Sequence, residues 1–172
     1  ERGPSYVISG FREGAGGGAA DVDFASRRRR LAGTLSDNGF EPVTQEWTEG
    51  DGAIVEANLF ARAPGMNVIN FAGHGNWGGW DILHSDEVFA GFVPTEVRPI
   101  VIGNTCLTGK FSPGHSFAER WLTKGAAAYI GSTEVSFGEY TVPLSQAFYN
   151  RLDSATPIGR AFRNAKRNRA HV

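Results

Sequence analysis

MNVINFAGHG, residues 66–75, decides the fold. Residues 66–73 form a continuous apolar run of strand length, the pattern of a strand covered on both faces. The run ends in glycines that carry a histidine, His74, out of it. RPIVIGN (98–104) repeats the pattern and is followed two residues later by the chain's single cysteine, Cys106, in GNTCLTG. SYVISGF (5–11), FEPVTQEW (40–47) and GAAAYIGST (125–133) read as three further strands.

Helical patterns fall between these runs. Asp23 is placed to cap a helix that runs through LAGTLSDNGF and stops at Asn38-Gly39, with Phe24, Leu31 and Leu35 near one face and Arg28 interrupting the stripe. RRRR (27–30) reads as a solvated helix face. Asp51 can cap a short helix carrying Ile54, Leu59 and Phe60, and HSFAERWLTKG (115–125) predicts a helix capped near Ser116 and stopped by Gly125. VPLSQAFYNRL and TPIGRAFRNAKRN predict two more, the last opened by Thr156 and Pro157. Between the His74 and Cys106 strands lies an unusually long segment with Trp77 and Trp80, read as surface and as a carrier of binding or of packing. The alternation predicts an α/β layered domain with a largely parallel sheet between helices.

At 172 residues the chain fits one domain, 1–172, with enough length to bury roughly 70% of its unfolded surface. A net charge of -1 supplies no global field for nucleic acid, and no run of about 18 apolar residues suggests a membrane span. Arg160, Arg163, Lys166, Arg167 and Arg169 on the last helix read as a solvated face rather than a nucleic-acid site. One cysteine excludes an internal disulfide, and four scattered histidines without HExxH give no reason to expect a metal or other cofactor. The start ERGPSYV lacks an initiator methionine and suggests a processed product or excised domain.

Sites in open parallel sheets lie beyond the carboxyl ends of the strands. His74 and Cys106 each follow such an end. If their strands are neighbours, about 4.8 Å apart, imidazole and thiol share a cleft. An imidazole beside a thiol can take its proton and later protonate a leaving amine. Gly75 and Cys106 have N–H groups suited to hold an oxyanion, with no side chain on Gly75 to obstruct a carbonyl. The residues alone leave Cys106 balanced between nucleophile and buried packing, and His74 between catalytic base and loop histidine. GAGGG lacks the lysine and hydroxyl of a phosphate loop.

INFAGHG, GNTCLTGKF, SFAERWLTKGAAAYIGST, LSQAFYNRL and PIGRAFRNAKR together resemble the catalytic core of the gingipain-type cysteine peptidases, within the caspase-like group. The resemblance implies a caspase-like fold, an endopeptidase with His74 as general acid/base and Cys106 as nucleophile, and Gly75 and Cys106 as oxyanion donors. It implies a peptide or protein substrate, further domains of the same polypeptide, and a secreted bacterial origin. Near Gly17, where caspases carry the arginine that reads aspartate, this chain has none. An acidic residue before the first helix, Asp21 or Asp23, matches the family members that cut after arginine; Asp23 can equally be a cap. STEVSF (132–137) corresponds to the pocket rim, making Glu134 a second acid and Phe137 a wall. Cleavage after arginine or lysine follows if one of these acids reads a cation, and RRRR would then be a self-cleavage site in a flexible state. Two other readings stay open: a noncatalytic caspase-like interaction module, and an acyl-transferase or ligase working through the same thioester.

Overall fold

The computed structural model describes residues 2–10, 24–47, 52–93, 95–111, 116–153 and 155–167. In chain order its first half contains β1 (Ser5–Ser9), α1 (Phe24–Asp37), β2 (Val43–Trp47), α2 (Gly52–Arg62), β3 (Val68–Ala72) and the short strands β4 (Gly75–Asn76), β5 (Gly79–Trp80) and β6 (Leu83–His84). The second half contains α3 (Ser85–Gly91), β7 (Ile100–Asn104), α4 (Phe117–Thr123), β8 (Ala128–Gly131), α5 (Gly138–Tyr149) and α6 (Ile158–Arg167).

The expected layered architecture is what forms. Five strands make one parallel sheet in the order β2-β1-β3-β7-β8. The chain steps outward from β1 to β2, then returns to the other side of β1, so the winding direction reverses between β1 and β3. A crevice opens beyond the carboxyl ends of the strands at such a reversal.

Strand alternation splits the core in two. Tyr6, Ile8, Ile69, Phe71 and Val101 face α2, α3, α4 and the three-stranded hairpin sheet, whereas Val7, Val68, Ala72 and Ile102 face α1, α5 and α6. Every residue of β1 and β3 is buried, which is why those segments read as continuous rather than alternating.

The helix ends follow local chemistry. Ser116 caps α4 and Glu119 closes a capping box on it; Gly39, at φ 78°, follows the end of α1 in the left-handed region. Helix α5 begins at Gly138, four residues ahead of the start that Val142-Pro143 suggested, and carries Pro143 inside it. The expected caps Asp23 and Asp51 lie outside the described residues.

Two surface readings are corrected. Arg28 is buried: its guanidinium donates to Ser9 Oγ at 3.2 Å and to Gln45 Oε1 at 3.4 Å, so the stripe of α1 is Phe24, Arg28, Leu31 and Leu35 without interruption. Its neighbours Arg29 and Arg30 are exposed as expected. The segment after His74 is no plain surface loop, since β4, β5, β6 and α3 organise it around a fully packed Trp80. That ring stacks on Phe71 at 4.7 Å and meets Phe117 at 5.1 Å, while Trp77 stays 56% exposed. The basic residues 160, 163, 166 and 167 of α6 face solvent, with Ala161 and Ala165 turned inward.

Candidate functional site

Strands β3 and β7 are hydrogen-bonded neighbours, with Ala72 opposite Asn104. His74 and Cys106 each lie two residues beyond that pair, at the same end of adjacent strands. The turns that carry them are packed together: a Cβ placed on Gly75 would stand 3.0 Å from Thr105 Cβ and 2.9 Å from Thr108 Cγ2. His74 is exposed, and the edge of its ring packs against Phe24 of α1 at 5.1 Å between centroids.

The cysteine turn is held from below and from the side. Thr105 and Thr108 hydroxyls are buried and 2.8 Å apart. Tyr129 O–H, Thr108 Oγ1 and Trp80 Nε1 converge within 2.8–3.0 Å of the point where Gly103 would carry a Cβ, so only glycine leaves room for them. Burial raises the Tyr129 pKa, with the nearby Thr108 and Trp80 polar groups opposing. From the β8 side, Gly109 N–H donates to Ser132 O at 2.9 Å and Leu107 N–H to Glu134 O at 3.2 Å. Leu107 takes a φ of 59°, a left-handed conformation uncommon for a branched residue. Strain of this kind, of order 1–3 kcal/mol, persists where surrounding contacts over-determine the backbone. It lies immediately after the half-buried cysteine and turns its thiol toward the β8 loop. Cys106 Sγ donates to Ser136 O at 3.3 Å and accepts from Ser136 N–H at 3.4 Å, while Ser136 Oγ donates to Thr105 O at 2.8 Å.

Glu134 and Phe137 of the expected rim are therefore on the loop that touches the cysteine turn, both exposed, Phe137 by 63%. Asp21 and Asp23 lie outside the described residues. Asn104 is not at the site: its side chain turns into the core, donating to Asn70 Oδ1 at 3.1 Å and accepting from Ser145 Oγ at 2.8 Å. Asn70 in turn donates to the Tyr149 hydroxyl. Arg27 stands on the α1 side, its guanidinium 5.3 Å from the Phe24 ring and within 2.0–2.6 Å of where Gly138 would carry a Cβ. No group of three or more His, Cys, Asp or Glu able to hold a metal occurs among the described residues.

Sequence reading missed Ser136, Leu107 and Asp81. Asp81 N–H donates to His74 O at 3.1 Å. Although the residue is exposed overall, its carboxylate is crowded against main chain, and desolvation pushes its pKa up to about 6 against the opposing pull of His74.

A doubly wound sheet with histidine and cysteine at adjacent strand tips defines a caspase-like α/β domain. The chain belongs to the gingipain-type family: the model of Peptidase family C25 matches residues 37–171. Its fold is similar to that in the complex of Porphyromonas gingivalis RgpB pro- and mature domains, at TM-score 0.75 and 18% identity over 98% of this chain and 43% of that one. It is similar also to the Arg-specific cysteine proteinase gingipain R, at TM-score 0.69 and 15% identity over 97% and 42%. A third structure, titled simply a protease, aligns at TM-score 0.57 and 17% identity over 83% and 32%. The chain thus spans less than half the length of each. No curated protein matches it in sequence.

Proposed function

We propose that the protein is the core of a cysteine endopeptidase. Cys106 Sγ attacks the peptide carbonyl carbon, with His74 taking the thiol proton; N–H groups of Gly75 and Cys106 receive the oxyanion. The C–N bond breaks as His74 returns the proton to the amine. Water, deprotonated by His74, then attacks the thioester, the C–S bond breaks, and the acid product leaves. The observation that supports this reading best is the equal reach of His74 and Cys106 beyond the paired residues Ala72 and Asn104, at the sheet's carboxyl edge.

The substrate class we infer is a peptide with arginine, or lysine, before the cleaved bond. Glu134 supports it with a carboxylate on the loop that bonds the cysteine turn, and Phe137 offers an apolar wall to an aliphatic stem. Asp21 or Asp23 is the acid before the first helix in this proposal, with Glu134 as the second. Arg27, whose guanidinium lies against Gly138 next to Phe137, adds positive charge near the same rim, so the decisive experiment is a peptide panel with arginine, lysine, aspartate and leucine at that position. Hydrolysis of the basic peptides, abolished in Cys106→Ala, is expected; hydrolysis of the aspartate peptide alone would transfer the recognition role to Arg27. Absence of hydrolysis with every peptide would remove the peptidase reading.

A further inference from the structure

The segment between β5 and β6 grips the main chain of His74 from two directions. Asp81 N–H donates to the His74 carbonyl at 3.1 Å, and the His74 N–H lies near enough to the Asp81 carboxylate to favour its ionised form. Its neighbours Trp80, Ile82 and Leu83 are buried at 1%, 6% and 0% exposure, so the grip is anchored in the core rather than on a swinging loop. The carboxylate rests over the crevice where the sheet reverses. Gly10, just past β1, would place a Cβ 2.7 Å from Asp81 Oδ2, and its N–H donates to Ala72 O at 3.0 Å. A Cβ on Gly73 would likewise stand 3.3 Å from Gly10 Cα, so two glycine strand ends make the space that the acid fills.

We propose that Asp81 is a positioning residue for His74, its carboxylate and N–H clamping both polar groups of the histidine's main chain and so fixing the imidazole toward the cysteine turn. The proposal rests on reading His74 and Cys106 as a dyad. Among the described residues, His74 is the titratable group acting on this carboxylate; Gly10 and Gly73 bring none, and Trp80 and Ile82 flank it. The clamp needs the acid ionised, because a protonated carboxyl accepts the His74 N–H less well. It loosens as pH falls through about 6, where Asp81 takes up its proton.

The test is the rate at which an arginine-bearing alkylating peptide labels Cys106, measured across that pH range for the wild type, Asp81→Asn and His74→Ala. Because removing the Asp81 charge also acts on His74, the thiolate fraction of each protein is read at each pH from its ultraviolet absorbance and the ratio of wild type to Asp81→Asn is taken per thiolate. The ratio is expected to rise about tenfold as pH increases through about 6, as loss of a charge-assisted hydrogen bond implies. Asp81→Asn keeps size and one acceptor oxygen, so it removes the charge with the least change of shape. A ratio near one throughout, or a constant deficit without pH dependence, overturns the positioning role while the dyad stands on the His74→Ala result. Labelling indifferent to His74→Ala overturns the dyad itself.

Discussion

Gly75→Ala is the sharpest probe of how the two reactive turns are held. The added methyl would stand 2.9 Å from Thr108 Cγ2, 3.0 Å from Thr105 Cβ and 3.0 Å from the Gly79 carbonyl. Carbon atoms in contact prefer about 3.5–4.0 Å, so the turns must part by roughly 0.5–1 Å. None of the three neighbours yields freely. Thr105 and Thr108 are buried and joined by their hydroxyls, and Gly79 is fixed in the hairpin sheet between Asn76 and His84. The backbone at Gly75 has no positive φ, so the effect is steric rather than conformational. Overpacking of this kind costs about 1–3 kcal/mol of stability. Since a misplacement of about 1 Å costs roughly a hundredfold in rate, half that opening implies about a tenfold slower reaction. The assay pairs thermal unfolding with the labelling rate of Cys106 by an arginine-bearing alkylating peptide. An unchanged rate and an unchanged melting temperature would refute the close packing of the His74 and Cys106 turns.

Two further outcomes separate scaffold from site. Asn104→Ala removes the partner of Asn70 Oδ1 and Ser145 Oγ in the core, and is expected to lower stability by about 1–3 kcal/mol while Cys106 labelling persists; loss of labelling in a folded variant would place Asn104 at the site. Asp81 has its folded-state pKa raised from 3.8 to about 6, so the folded protein holds this proton more tightly and its contribution to stability falls as pH rises through that window. The melting-temperature difference between Asp81→Asn and wild type should therefore grow in favour of the variant between those pH values, with solvent at the exposed flank screening part of the effect. A difference that shrinks with rising pH contradicts the sign. Such a cost at a positioning residue would be a trade of stability for function.

The strands were legible because burial on both faces writes continuous apolar runs, and the neighbouring β3 and β7 were legible as the two runs ending in histidine and cysteine. What stayed hidden depends on contacts across the sheet. Arg28 looks like one member of a basic run, yet Ser9 of β1 and Gln45 of β2 give its guanidinium acceptors. Trp80 and Asp81 look like insertion residues, since nothing in GNWGGWDIL announces that one fills the core and the next grips His74. Ser136 reaches Cys106 only through its backbone, which no side-chain pattern encodes.

Alkylation by the arginine-bearing peptide, followed by mass mapping of wild type and His74→Ala, tests the central claim most directly. Label confined to Cys106 of the folded protein and sharply reduced in the variant is the result the dyad requires. Label on unfolded protein only, or equal label with and without the His74 imidazole, would contradict it.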